Sequence, residues 1–188
     1  MLAANEKPRR GDLLISEPFL PDPNFERSVI LICENNEMGS FGFVLNKPTE
    51  LKLADVVEEA EGFDKVLHSG GPVEENTLHY IHRCPELIPG GEDLGNGIYW
   101  GGDFEQLMSV INTRQLSTDQ VLFFVGYSGW AAGQLDAELQ ENSWFVHHQA
   151  SVEDVFDDSA EQLWRKVLRN MGGKYRMYSN YPTDPRLN

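Results

Sequence analysis

The chain has 188 residues, 40% of them hydrophobic, with 30 acidic and 15 basic side chains and a formal net charge of −15. This length fits one domain, and this apolar content excludes wholesale disorder. A negative field of this strength repels phosphate backbones, so direct nucleic-acid binding would require a strong local basic patch.

The N-terminal segment, residues 1–10, is predicted to form a flexible tail. It contains no apolar signal-peptide core, and no apolar run in the chain approaches the roughly 20 residues that are needed to cross a bilayer. A cytoplasmic location without membrane association is therefore expected.

In the first half of the chain, short apolar runs are separated by turns rich in proline and glycine. These runs predict β-strands at 11–16, 28–33, 41–45, 66–69 and 78–82. The turn at 34–39 joins two of the strands into a hairpin, and the apolar spacing across 53–60 predicts a helix. Because most of these strands follow one another without a helix between them, antiparallel pairing is favoured.

The second half of the chain alternates strands with helices. Strands are predicted at 98–100, 120–125 and 143–148, and helices at 103–111, at 133–142, from Ser151 and from Ser159 to Gly172. Residues 126–133 are predicted to form a glycine-rich loop. The whole pattern predicts one α+β domain with a mixed sheet at 11–173, followed by a polar C-terminal tail at 174–188.

The cysteines and histidines show no pattern that indicates a metal site or a redox pair. Cys33 lies in an apolar run and is expected to be a buried free thiol, and Cys84 is expected in a loop. His79 and His82 are three residues apart on a predicted strand, so their side chains should face opposite sides of the sheet. No metal and no cofactor are predicted.

Four motifs that follow one another along the chain point to a relative. They lie at 22–29, at 39–48, at 70–73 with the strand that ends in His82, and at 126–135 with the later Trp144. Over about residues 11 to 170 the chain resembles the YqgE/AlgH family of bacterial cytoplasmic proteins. The resemblance implies a compact α+β domain on a curved, mostly antiparallel sheet flanked by several helices. It brings no established catalytic mechanism, although some members have been proposed as transcriptional regulators.

The glycine-rich segments at 70–73 and 126–133 define a candidate surface for a ligand or a partner. A helix that follows the second segment could bind an anion at its N-terminus, but no Lys follows the glycines as in a phosphate-binding loop. The favoured alternative is that the glycines permit tight turning and close packing. The candidate residues are Asn46, Gly70, Gly71, His82, Gly126, Ser128, Gly129, Trp130 and Gln134.

Several of these candidates also have purely structural interpretations. Asn46 is expected to satisfy backbone groups of a turn. His82 is expected to form a hydrogen bond to a loop carbonyl near Gly70 and Gly71. Ser128 follows a strand as a nucleophile does in a Gly-x-Ser-x-Gly elbow, but Trp130 occupies the second glycine position.

Three functions remain open from the sequence. The first is a non-enzymatic binding or regulatory protein without catalytic residues, whose partner is an unknown protein or a small anionic ligand. The second is a small hydrolase with a site near Ser128 and His82. The third is direct nucleic-acid binding, which only the regulatory label of the family suggests and which the net charge of −15 disfavours. The basic residues between 165 and 176 could contact nucleic acid or an acidic partner, but a solvated helix face is the favoured interpretation.

Overall fold

The computed structural model describes residues 7–157 and 159–187, so most of the predicted N-terminal tail lies outside the described residues. A 10-stranded sheet forms the centre of the fold. Its strands are β1 Leu13–Ser16, β2 Val29–Asn36, β3 Gly39–Val44, β4 Pro48–Lys52, β5 Val66–Ser69, β6 Val73–His82, β7 Glu92–Gly95, β8 Ile98–Trp100, β9 Val121–Ala131 and β10 Trp144–His147.

The main path of the sheet runs in the order β10-β1-β2-β3-β9-β6-β8-β7. The neighbours along this path pair antiparallel, and β4 pairs antiparallel with β5 at the side. One parallel pair joins β5 to β9. The predicted α+β fold with a mixed, mostly antiparallel sheet is therefore confirmed, as is the hairpin of β2 and β3.

The helices cover both faces of the sheet. They are α1 Leu53–Val56, α2 Phe104–Asn112, α3 Gln134–Gln140, α4 Val152–Val155, α5 Ala160–Met171 and α6 Gly173–Tyr178. The helix that was predicted across 53–60 is broken, because Val57 adopts an extended backbone and only a 3₁₀ turn follows at Glu58–Ala60.

The apolar run in β2 is buried on both sides of the sheet. Leu31 packs on the face that α5 covers with Trp164. Ile30 and Ile32 point to the opposite face and pack with Trp130. A strand that lies between two apolar layers is continuously hydrophobic, which explains why this segment lacks the alternation typical of a half-exposed strand.

The segment after Gly173 was predicted to be a polar tail, but it forms α6 and packs against the domain. The Tyr178 ring stacks on Phe145 with 5.3 Å between centroids. The Arg27 guanidinium donates hydrogen bonds to the carbonyls of Tyr181 and Pro182, at 2.9 and 2.6 Å. Burial of the tyrosine rings therefore holds this segment against the domain, although its charged residues had indicated a solvent-exposed tail.

One carboxylate joins α3 to two strands. Oε2 of Glu138 accepts hydrogen bonds from the indole N–H groups of Trp130 and Trp144, at 2.9 and 2.8 Å. Both indoles are almost fully buried, at 5% and 3% exposure, so their donors need this partner. Glu138 therefore fixes the helix against β9 and β10.

We expect Glu138→Ala to lower the free energy of unfolding by about 2–6 kcal/mol, because an unpaired buried donor costs about 1–3 kcal/mol and two are created. Glu141→Ala is the matched control, since Glu141 is exposed at the end of the same helix. Its effect should stay within about 0.5 kcal/mol. Urea unfolding followed by circular dichroism measures both, and equal effects of the two variants would contradict this assignment.

Candidate functional site

Residues 126–131 of the glycine-rich segment form a strand and only 132–133 form a turn, so the predicted loop was wrong for most of the segment. β9 continues through it to Ala131, and Gly126 is accommodated within the strand at φ +70°. Local glycine content disfavours a strand, but pairing with β3 and β6 supplies the backbone hydrogen bonds that override this preference. Gly129 is an exposed position of this strand and pairs with Phe41.

The two glycine-rich segments meet backbone to backbone. The Gly70 N–H donates to the Val125 carbonyl at 3.0 Å. A Cβ added to Gly71 would lie 2.3 Å from the carbonyl carbon of Tyr127, and one added to Gly126 would lie 2.6 Å from the Gly71 oxygen. These glycines serve the close approach of two chain segments.

Ser128 and His82 are far apart, so the structure does not form the hydrolase site considered from the sequence. The Ser128 hydroxyl is buried and donates to the Gly70 carbonyl at 3.0 Å. His82 pairs with Val121, and Ser128 lies seven residues further along β9. At about 3.3 Å per residue, this separation is about 23 Å.

His82 is a buried structural histidine. Its Nε2 lies 2.9 Å from the Gly101 carbonyl, and its Nδ1 accepts from the Cys84 N–H at 3.3 Å. The predicted partner near Gly70 was therefore wrong. This network assigns the proton to Nε2, and burial lowers the pKa of the imidazole below its ordinary value. Cys84 lies in a loop, as expected, and is a buried free thiol, as Cys33 is.

The remaining predicted residues also have structural roles. Asn46 bridges two chain segments, accepting from the Val29 N–H at 2.9 Å and donating to the Arg27 carbonyl at 2.8 Å, as expected of a turn residue. Gln134 begins α3, and its Oε1 accepts from the Ala131 N–H at 3.0 Å.

A cleft lined by aromatic side chains, called the aromatic cleft below, lies where β3, β6, β8 and β9 adjoin. It has a volume of about 470 Å³. Of the candidate residues that the sequence analysis named, Trp130 lines this cleft. Its lining includes Glu34, Asn36, Met38, Phe41, His79, Trp100 and Tyr127.

Edge-to-face packing orders the rings of the aromatic cleft. Phe41 lies 4.9 Å from Trp100 at an interplanar angle of 66°, and 6.1 Å from Tyr127 at 77°. His79 lies 5.9 Å from Tyr127 at 85°. Such pairs contribute about 0.5–1.5 kcal/mol each beyond burial, so these half-exposed rings form a preorganised wall.

A β-bulge places a carboxylate beside this wall. In the pairing of β2 with β3, Ile32 faces Gly42 and the next pair is Glu34 with Phe41, so Cys33 is the extra residue. Without the bulge, strict alternation would place Glu34 on the opposite face. The bulge turns its side chain to the face of Phe41.

Sequence reasoning did not identify Glu34, Phe41, His79 or Trp100 as site residues. A signal for Phe41 was present, because it starts an alternating apolar run in which its side chain shares the face of Phe43. No comparable signal existed for Glu34, since the position of a bulge depends on pairing with β3.

Comparisons with other proteins identify the family. A family described as DUF179, AlgH-like, matches residues 13–176. The chain belongs to the AlgH-like family. It is 46% identical over 180 residues to a UPF0301 protein of Cytophaga hutchinsonii, covering 95% of this chain and 98% of the relative. It is 45% identical over 178 residues to a UPF0301 protein of Chlorobaculum tepidum, covering 95% of each.

Solved structures show the same fold. The solution structure of AlgH from Pseudomonas aeruginosa matches with a TM-score of 0.72 and 26% identity, covering 97% of this chain and 98% of AlgH. A crystal structure from Corynebacterium diphtheriae matches with a TM-score of 0.77 and 23% identity, covering 95% of each chain. The YqgE/AlgH resemblance is thereby confirmed, and the relatives' names assign no activity.

Two further findings concern the described part of the chain. Within residues 7–157 and 159–187, no group of three His, Cys, Asp or Glu side chains could hold a metal ion. No helix in these same ranges combines the length and the apolar character that crossing a membrane requires.

We expect Gly71→Ala to destabilise the fold by about 3 kcal/mol, because the added methyl group meets β9 backbone that cannot move aside cheaply. Gly129→Ala is the matched control, since its Cβ meets only ordinary contacts at 3.5 Å or more. Its effect should stay within about 1 kcal/mol. Thermal unfolding followed by circular dichroism distinguishes them, and a fully stable Gly71→Ala protein would contradict the structural role.

Burial of neutral His82 also predicts a pH dependence. The folded state holds the pKa of His82 below its ordinary value of 6.5, so below about pH 6.5 the unfolded chain binds a proton that the folded chain does not. Stability should therefore fall as pH drops from 7.5 to 5.5. His82→Gln should reduce this slope by up to about 1.4 kcal/mol per pH unit. Urea unfolding at three pH values measures the slopes, and identical slopes would refute the prediction.

Proposed function

We propose that this chain is a non-enzymatic, cytoplasmic binding protein whose binding site is the aromatic cleft. The observation that supports this most is an ordered wall of three half-exposed rings, Phe41, Trp100 and Tyr127, around a volume of about 470 Å³. Ligand sites are typically apolar concavities of roughly 300–1,000 Å³ with a few polar groups.

The groups that suggested catalysis are engaged elsewhere. The Ser128 hydroxyl bonds to the Gly70 carbonyl, and His82 bonds to Gly101 on another part of the sheet. A general base must lie within hydrogen-bond reach of the proton that it removes, and these two residues are on distant parts of β6 and β9. Binding without chemistry therefore accounts better for the arrangement than a hydrolase does.

The electrostatics favour a protein partner over a small anion or a nucleic acid. A carboxylate, Glu34, lines the aromatic cleft, and the chain has a net charge of −15. In the basic stretch near the C-terminus, Lys166 pairs with Asp154 and Asp157 at 3.1 and 2.6 Å, and Arg165 donates to the Ser179 carbonyl. On this proposal, any influence on transcription is indirect and passes through the bound partner.

The test is a titration of ¹⁵N-labelled protein with indole, followed by NMR. Chemical-shift changes should concentrate on residues that line the aromatic cleft, and Trp100→Leu should weaken indole binding at least about fivefold, since burial of one aromatic side chain contributes over 1 kcal/mol. Phe104→Leu is the matched control, because Phe104 is 40% exposed on α2 and does not line the cleft.

Shift changes that map to the contact of Gly70 with Gly126 would contradict the proposed site. Equal weakening by Phe104→Leu and Trp100→Leu would show that indole binds non-specifically. Turnover of simple ester substrates that depends on Ser128 would restore the hydrolase hypothesis.

A further inference from the structure

The aromatic cleft has an acidic edge without an internal counter-ion. Glu34 is half-buried, and its Oε1 accepts from the Asn36 side chain at 2.5 Å. Among residues 7–157 and 159–187, no Lys or Arg side chain forms an ion pair with Glu34. Arg10 bonds to the adjoining Cys33 carbonyl at 3.1 Å, but its charge is paired with Glu92 at 3.0 Å.

The same face combines this carboxylate with aromatic rings. Because of the bulge in β2, Glu34 stands directly across from Phe41, whose ring packs against Trp100 and Tyr127. Ring faces attract cations, most strongly in tryptophan, and a carboxylate beside them adds a direct ionic partner. Among the described residues, the cleft lining contains one carboxylate and no Lys or Arg, and burial holds the pKa of its histidine, His79, below the ordinary value, so the cleft favours positive charge.

We propose that the aromatic cleft receives an arginine side chain of a partner protein, with the guanidinium stacked on the rings and paired with Glu34. This inference rests on the proposed binding function and names its partner chemistry. A guanidinium suits the site better than an ammonium does, because it is planar, is weakly hydrated and can stack on a ring while its edge donates hydrogen bonds to a carboxylate.

The surroundings indicate a protein segment as the source of this cation. The volume of about 470 Å³ exceeds one side chain, so residues that flank the arginine also have room. Met38, at the tip of the hairpin of β2 and β3, is 89% exposed and offers a flexible apolar contact beside the cleft. A net charge of −15 accelerates association with a basic partner.

The test compares two acetylated, amidated pentapeptides, Gly-Leu-Arg-Leu-Gly and the same peptide with citrulline in place of arginine. Citrulline keeps the shape of arginine and removes the charge. NMR titration should show shifts at residues that line the aromatic cleft and a dissociation constant about tenfold lower for the arginine peptide, the range expected for a partly desolvated cation–π contact with a carboxylate. The difference should shrink as salt is raised.

Variants assign the preference to the site. Glu34→Gln should remove most of the advantage of arginine over citrulline, and Trp100→Leu should weaken binding of both peptides. Glu37→Gln is the matched control, because it removes one negative charge from the same hairpin at a position outside the cleft. Its effect on the arginine preference should stay below about twofold, as for a screened surface charge.

Each contrary outcome has a distinct meaning. Equal binding of both peptides in the aromatic cleft would overturn the arginine preference and leave the proposed binding function in place. Equal losses in Glu34→Gln and Glu37→Gln would show a general charge effect and would also overturn it. If neither peptide binds while indole does, the partner chemistry is wrong. If indole also fails to bind in the cleft, the proposed function itself is wrong.

Discussion

The rest of the structure depends on the close backbone contact between Gly70–Gly71 and the middle of β9. β9 pairs with β6 along its first part, with β5 on its other side and with β3 near its end, so it joins both halves of the sheet. Side chains at Gly71 or Gly126 would separate these segments, since their Cβ atoms would lie 2.3 and 2.6 Å from backbone atoms. The glycines therefore make the change of strand partners possible, and they do so as rigid structure.

The aromatic cleft is a consequence of this arrangement. Because β9 lies between β3 and β6, Tyr127 is brought beside Phe41 and His79, while Trp100 reaches the same wall from β8. The bulge in β2 then adds Glu34. Residues from separate strands thus combine an ordered apolar wall with one carboxylate, the combination on which the proposed binding function rests.

Much of the architecture could be predicted from the sequence, because local patterns and tertiary packing agree there. The β-branched run of β2 and the turn after it predict the hairpin, and the stripe that contains Trp164 predicts α5. The predictions failed where hydrogen-bonded pairing between distant segments overrides the local sequence pattern. The glycines of 126–133 indicated a loop, but residues 126–131 complete β9. Ser128 and His82 both lie in the motifs that identify the family, but they are on distant parts of the sheet. The bulge that turns Glu34 to the face of Phe41 has no signature in the local sequence, because it depends on the pairing of β2 with β3.

The most direct test of this account is native-state hydrogen exchange at the amide of Gly70, which donates to the Val125 carbonyl. If the glycine contact is rigid structure, this amide should exchange only with global unfolding, at the same rate as amides in the centre of β9. Exchange many times faster than in β9, as for a mobile ligand-binding loop, would contradict the central claim.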